Sequence, residues 1–115
     1  MKKQKPNLVR KMNELKIILT TIDNEQKAEE ISNTLLKLKL AACINMIPTK
    51  SRYWWKSKIE KNNELTLVIK TTKDLVDKTT EKIKQIHTYE LPVIEVINIE
   101  KVNEGVNEWV KEVCN

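Results

Sequence analysis

The sequence predicts an α+β protein with one small core and the element order β-α-β-β-α-β-α. Two observations carry this prediction. Within Leu40–Thr71, apolar residues recur at every second position on both sides of a short polar break, which is typical of one long hairpin. Around that hairpin, segments with apolar residues at helical spacing separate the other strands. A chain of 115 residues has room for one such domain.

The first strand and first helix are the clearest elements. Leu15–Ile22 is almost continuously apolar, as expected of a central strand covered on both faces. Asp23 is predicted to cap the following helix, because Gln26 lies three residues on and completes an approximate capping box. The side chains that would face the core recur at helical spacing: Ala28, Ile31, Leu35 and Leu38.

The central hairpin is unusually long. Each arm would contain about 14 residues and span about 45 Å, whereas an ordinary strand has about five or six residues. Pro48 cannot donate a hydrogen bond to a neighbouring strand, so we expect a bulge or bend there. Lys56 and Ser57 form the predicted turn.

The far end of the hairpin carries large apolar side chains: Tyr53, Trp54, Trp55 and Ile59. Exposed on two strand edges, such a patch would promote aggregation. We therefore predict that another copy of the chain covers it, with Tyr53, Trp54 and Ile59 in the interface. The alternative is a shorter hairpin that folds back over its own sheet and keeps the tryptophans in a private core.

The second helix follows the hairpin. Thr71 or Thr72 is predicted to cap it, and it should end near His87, because Pro92 disfavours helix at the residue before it. Its predicted inner face consists of Leu75, Val76, Thr79, Ile83 and Ile86.

The last strand is predicted at Val93–Ile99, followed by a helix that Asn103 caps. This order predicts the ferredoxin-like arrangement: a four-stranded antiparallel sheet with both crossover helices on one face, and here an extra C-terminal helix. The other face of the sheet would be bare, which independently predicts an oligomer.

The net charge of +5 lies in the first residues. Five of the 21 basic residues occur within residues 1–12, which contain no acidic residue, and the other 16 balance the 16 acidic residues. Residues 1–13 are therefore predicted to form a basic, disordered extension before a domain at 14–115. The extension lacks an apolar stretch typical of a secretory signal or a membrane span, so no membrane partner is expected.

Several function classes are disfavoured. The chain has one histidine, which limits catalytic triads, and one glycine, which is too few for a P-loop or a dinucleotide fingerprint. No enzyme is therefore predicted. The third strand, Leu65–Thr71, lacks the aromatic residues of RNA-recognition modules, so no nucleic acid is expected. Cys43 and Cys114 form no metal or disulfide pattern, which favours the cytoplasm.

Two groups could attract a metal ion. The imidazole of His87, with Tyr89 and Glu90 nearby, and the thiol of Cys43 suit Cu, Zn or Hg, and copies around a symmetry axis would complete a tight site. Alternatively, His87 caps helical carbonyls and Cys43 is a small buried hydrophobe. Lys70 is either a strand-edge charge or, beside Tyr89 and Glu90, part of an anion-binding cleft.

Several motifs occur in the order found in one family. LAACINMIP, YWW followed by KIE, LVIKT, His-x-Tyr-Glu-x-Pro and the tryptophan-bearing last helix resemble the CutA family, the divalent-cation tolerance proteins. The resemblance covers about Leu15 to Val113. It implies a ferredoxin-like subunit that forms a homotrimer through its long strands, similar in architecture to PII signalling proteins, with a link to tolerance of copper and other divalent metals and no established enzymatic activity.

The resemblance also implies site residues. Recurrent family positions near the inter-subunit clefts correspond to Cys43, Trp55, Glu60, Lys70, His87, Tyr89, Glu90 and Pro92. The usual Glu-Gly-Lys turn reads 56–58 Lys-Ser-Lys here. In the enterobacterial member copper is assigned to a cysteine and two adjacent histidines, which match Thr20, Ile86 and His87, so two of those three ligands are missing.

Two functional hypotheses follow from the resemblance. The first is a cytoplasmic trimer that responds to or binds copper or another divalent metal, with His87 and Cys43 as ligands. The second is a PII-like signalling or scaffold trimer that binds a small anionic ligand or a partner protein in its clefts.

Overall fold

A computed structural model describes residues 14–114. The strands are β1 (Leu15–Ile22), β2 (Cys43–Trp55), β3 (Lys58–Thr72) and β4 (Ile94–Asn98); the helices are α1 (Glu25–Lys37), α2 (Val76–Ile86) and α3 (Val106–Val113). The strands form one antiparallel sheet in the order β2-β3-β1-β4. This confirms the ferredoxin-like arrangement with an added C-terminal helix. The extension predicted at residues 1–13 lies outside the described residues.

The core lies between α1, α2 and one face of the sheet, and both helices and the sheet contribute side chains to it. The apolar residues with no exposed surface are Ile18, Ile22, Ala28, Ile31, Leu35, Ala41, Leu67, Ile69 and Ile83. The predicted core position Leu38 is wrong: it lies just after α1 and is 50% exposed. None of the helices within residues 14–114 is long and apolar enough to cross a membrane.

Three helix caps differ from the sequence prediction. Neither Thr71 nor Thr72 caps α2, because a 3-10 turn at Lys73–Leu75 separates them from that helix and Leu75 is its N-cap residue. Asn24, not Asp23, caps α1, because its side chain accepts a hydrogen bond of 2.9 Å from the backbone N–H of Lys27. The two neighbours are equally good cap-formers, so only the path of the chain decides between them. Asn103 does not cap α3. Gly105 precedes that helix with φ +87°, a left-handed conformation that glycine adopts without steric cost.

The hairpin is continuous and about as long as predicted, with arms of 13 and 15 residues. Its ladder runs without a bulge from Cys43 paired with Lys70 to Trp55 paired with Lys58. The strand therefore has no bulge at Pro48, contrary to the first of the two predicted alternatives. β2 is an outer strand, in which alternate residues direct their backbone N–H away from the sheet, so such a strand can accommodate proline.

The distal half of the hairpin extends beyond the body of the subunit. β1 pairs only with residues 65–72 of β3, and the molecule measures 56 × 25 × 21 Å. Lys56 and Ser57 form the two-residue turn with φ values of 50° and 67°, as predicted. Trp54 and Ile59 face each other across the ladder and are 71% and 61% exposed, so the hairpin is not folded back over its own sheet.

We call the second face of the sheet the open face. The prediction that it is bare is only partly correct. α3 contacts β3, and Lys111 on α3 forms a 3.0 Å ion pair with Glu14 at the start of β1. Side chains alternate along β1, so Leu15 points to the open face, yet it is only 2% exposed. The C-terminal helix therefore covers one end of this face, where Val110 is also buried.

Candidate functional site

A cleft of about 690 Å³ lies between the distal half of the hairpin and the segment that follows α2. We call it the hairpin cleft. Its aromatic walls are Tyr53, Trp54, Trp55 and Tyr89, and its charged lining consists of Asp23, Arg52, Glu64 and Glu90. The cleft thus combines aromatic rings with an excess of carboxylates within one subunit.

His87 anchors the segment that forms one wall of the cleft. α2 ends at this residue, as predicted. The ring Nδ1 accepts a hydrogen bond of 3.2 Å from the backbone N–H of Tyr89, so the ring proton is assigned to Nε2, which donates to the carbonyl of Thr21 at 2.9 Å. The rings of His87 and Tyr89 also pack edge to face at 4.7 Å. The neutral imidazole thereby ties the segment to the end of β1.

Tyr89 and Glu64 form the floor of the cleft. The Tyr89 hydroxyl donates a short hydrogen bond to Oε2 of Glu64, a carboxylate that is only 7% exposed. Burial raises the pKa of Tyr89, and the hydrogen bond to Glu64 and the charges of Glu64 and Asp23 raise it further. The phenol therefore keeps its proton and acts as a donor at neutral pH.

A second polar group lies beside this pair. The side-chain amide of Asn62 donates to Oδ2 of Asp23 and to the hydroxyl of Tyr53, both at 3.4 Å. These contacts join the end of β1 to both arms of the hairpin. They hold Asp23 at the cleft although its charge has no basic partner among residues 14–114.

Glu90 and Trp55 lie where Lys56, in the hairpin turn, approaches the segment after α2. The Lys56 ammonium is 3.6 Å from the Glu90 carboxylate and 5.6 Å from the centre of the Trp55 ring. The ion pair is largely exposed, so it contributes little to stability. The Lys56 ammonium also forms a cation–π contact with the Trp55 ring, which is part of this wall of the cleft.

The structure brings together only some of the predicted site residues. Trp55, Tyr89 and Glu90 line the hairpin cleft, and Glu60 lies opposite Tyr53 in the ladder without lining it. Lys70 lies six residues along β3 from Glu64, about 20 Å away at the usual rise of a strand. Within one subunit, Lys70 is therefore not beside Tyr89 and Glu90.

The two predicted metal ligands are also separate. Cys43 pairs with Lys70 at the opposite end of the hairpin from its turn, where Asn45 accepts a 3.3 Å hydrogen bond from Lys70 and lies 3.9 Å from the Cys43 sulfur. His87 lies beside Thr21 at the other end of β1 and already uses both ring nitrogens. A site that contains both ligands stays a prediction for an assembly of several chains.

The described chain does not fit a divalent-metal centre on its own. Among residues 14–114, no three His, Cys, Asp or Glu side chains are grouped so that they could hold an ion. The positions that match the copper ligands of the enterobacterial member include Thr20, which is buried, and Ile86, which packs against the core. Neither side chain is a copper ligand of the expected soft or imidazole type.

Sequence reasoning missed the carboxylate that organises the cleft. Glu64 and Tyr89 are 25 residues apart, and nothing in the strand pattern distinguishes Glu64 from an ordinary surface position. Asp23 was recognised only as a helix cap. The sole local signal was a charged residue directly before the apolar run that starts at Leu65.

The sheet order, the extended hairpin and the cleft at its distal half define a ferredoxin-like α+β protein with a protruding β2–β3 hairpin. The family model described as CutA1 divalent ion tolerance protein matches residues 16–113. The chain therefore belongs to the CutA family of divalent-cation tolerance proteins.

Individual relatives agree over most of their length. The divalent-cation tolerance protein CutA of Pyrococcus horikoshii is 38% identical over 96 residues, which cover 84% of this chain and 94% of that protein. The corresponding protein of Thermotoga maritima is 34% identical over 96 residues, which cover 84% and 95%. The crystal structure of CutA1 from Oryza sativa has a TM-score of 0.86 at 30% identity and covers 91% of this chain and 97% of that one.

Proposed function

We infer that the protein functions in divalent-cation tolerance as a homotrimer that assembles through its long hairpin. The observation that carries this proposal is the exposed apolar end of the hairpin. Trp54 and Ile59 form a cross-strand pair that the subunit leaves 71% and 61% exposed. A patch of this kind on a strand pair marks a contact with another chain.

The two outer strands of the sheet are the surfaces through which neighbouring copies would contact each other. β2 and β4 are the edges of the sheet, and both carry exposed apolar side chains, among them Ile47 on β2 and Ile97 on β4. Contact between the β2 edge of one copy and the β4 edge of the next is heterologous, and heterologous contacts either close into rings or extend into filaments. The family resemblance implies a ring of three.

Metal ions, copper included, are proposed to bind to the assembled trimer and not to the single subunit. Because the described residues of one chain hold no group of three ligands, a tight site requires side chains from more than one copy. Cys43 is the best candidate, since its thiol is free and partly accessible. His87 would have to give up a hydrogen bond to bind an ion.

Calorimetric titration with Cu(II) tests the metal proposal on native protein, Cys43→Ser and His87→Ala, each with its mass measured by light scattering. We expect Cys43→Ser to weaken binding by tenfold or more and His87→Ala to change it less. Equal, stoichiometric affinity in all three proteins would remove both residues from the site. Full affinity in a monomeric variant such as Trp54→Asp would refute the requirement for assembly.

We further propose that the protein acts in the cytoplasm and is not an enzyme. Both cysteines are free, and burial, together with the charge of Asp74, raises the pKa of the Cys114 thiol, which keeps it protonated and unreactive. Both ring nitrogens of the sole histidine are engaged by backbone groups, which leaves no free imidazole for general acid–base chemistry. Fractionation of cells that express the tagged protein tests the compartment.

A further inference from the structure

We propose that α3 is a detachable cover of the open face, which leaves the sheet by turning about Gly105 while the rest of the subunit stays folded. The helix and the surface beneath it belong to one chain, and no bound ion is involved, so this inference goes beyond the proposed function. Two features support it. The helix is weakly attached to the sheet, and a buried polar side chain opposes its docking.

The end of the chain is held to the sheet by side chains alone. The last backbone hydrogen bond that joins it to the sheet is donated by the N–H of Ile99 to the carbonyl of Leu15, at 3.3 Å. From residue 100 onward, every backbone hydrogen bond among the described residues is formed within residues 100–114. The attachment of α3 therefore consists of apolar packing, mainly of Val110 and Cys114, and of its single ion pair with Glu14.

Gly105 gives the helix freedom to turn at its start. Its φ of +87° is in the left-handed region, and a Cβ atom added there would meet no other atom within 4 Å. No side chain caps the first turn of α3. A rotation at this residue therefore meets no steric barrier and breaks no capping hydrogen bond.

A buried amide opposes the docking of α3. Asn107 lies on the inner face of the helix, one turn before Val110, and is 3% exposed. Neither its amide nitrogen nor its amide oxygen has a hydrogen-bond partner among residues 14–114. Burial of two unpaired polar groups costs free energy, which is recovered when the undocked helix exposes them to water. Because both atoms are inaccessible while α3 is docked, another chain or a ligand cannot reach them until the helix moves.

Undocking uncovers one end of the open face. Leu15, which is buried beneath the helix, would come into contact with water, and so would Cys114 at the end of the helix. Apolar packing favours the docked helix, whereas the unpaired amide of Asn107 opposes it. The balance of these two effects decides whether this end of the sheet is covered or presents an apolar surface.

The experiment measures how fast iodoacetamide alkylates Cys114 in the native protein at its native mass, with mass spectrometry to distinguish this thiol from Cys43. Alkylation requires a thiolate, and burial raises the pKa of the docked Cys114 thiol, so the reaction reports the undocked helix. We expect the rate to be nearly constant at low urea concentration and to rise only near the unfolding transition, since α3 detaches without global unfolding. A rate that follows global unfolding at every urea concentration would overturn the inference.

Two substitutions at one position test the role of the amide. Asn107→Leu introduces a side chain of similar size without polar atoms and should slow the alkylation of Cys114 by tenfold or more. Asn107→Asp places a charge in the same buried position and should accelerate it by tenfold or more. Helix propensity does not explain this pair of effects, because a carboxylate in the first turn stabilises an isolated helix.

Ser32→Ala is the matched control. It removes another buried hydroxyl that has no partner among residues 14–114, on α1 at the other face of the sheet, and should leave the rate at Cys114 unchanged. An equal slowing in this control would show that alkylation follows global stability and would overturn the inference.

Circular dichroism and light scattering accompany each variant, so that loss of folding or of assembly is distinguished from movement of the helix. If Asn107→Asp does not fold, Asn107→Leu carries the test. Unchanged or faster alkylation in folded Asn107→Leu would overturn the inference, and so would unchanged or slower alkylation in folded Asn107→Asp. The Cu(II) titration and the mass measurement judge the proposed function separately.

Discussion

Replacement of Trp54 by Asp should convert the assembly to monomer. Trp54 is 71% exposed in the subunit, and a tryptophan side chain offers about 200 Å². Covering that exposed part removes about 140 Å² from water, which at about 25 cal/mol per Å² contributes about 3.5 kcal/mol for each copy. Because about 1.4 kcal/mol is a factor of ten, loss of this term weakens each contact about 300-fold, before the cost of burying a carboxylate is added.

The assay is sedimentation or size exclusion with light scattering over a range of protein concentrations, with circular dichroism as a check on folding. Leu36→Asp is the matched control, because Leu36 is an apolar residue 41% exposed on the helix α1 and not on the hairpin strands. The control should keep the native mass. If Trp54→Asp keeps that mass at low micromolar concentration while remaining folded, the hairpin end is not an assembly surface and this reasoning fails.

Three further predictions concern the subunit itself. His87→Ala removes two hydrogen bonds and should lower the free energy of unfolding by about 1–3 kcal/mol in a urea titration; an unchanged midpoint would show that the ring does not anchor the segment. Because the pKa of Tyr89 is raised in the folded state, only the unfolded state releases this proton as the pH rises above about 10. The free energy of unfolding should therefore fall above that pH, and it should fall less steeply in Tyr89→Phe. Equal alkaline slopes in the two proteins would contradict the buried donor. Ser57 has φ 67°, so Ser57→Gly should raise the unfolding temperature by removing about 1 kcal/mol of backbone strain, and a lower temperature would count against the two-residue turn.

Elements with strong local periodicity were predicted closely. β1 has the predicted bounds Leu15–Ile22, α2 ends at Ile86 with His87 as its C-cap, and Lys56 and Ser57 form the turn, because each depends on neighbours in the chain. β4, at Ile94–Asn98, is one residue shorter at each end than predicted. Strand ends depend on the length of the partner strand, which a local pattern does not contain.

The candidate site was predicted less completely. The sequence identified Tyr89 and Glu90 but not Glu64. It also placed Lys70 in the same cleft, whereas in the subunit Lys70 lies about 20 Å along β3 from Glu64. The resemblance to CutA proteins places residues near inter-subunit clefts without stating which of them meet within one chain. The register of β3 against β1 decides that question.

By itself, the sequence determined the alternation of apolar residues, and with it the sheet, the helices and a hairpin too long for the body it belongs to. Packing between distant segments determines that α3 covers one end of the open face, that His87 uses both ring nitrogens, and that Glu64 contacts Tyr89. The physical reason is the separation along the chain of the residues on which each feature depends. Periodicity records burial residue by residue, whereas a hydrogen bond between positions 25 residues apart requires a register and a backbone path that many local patterns would permit.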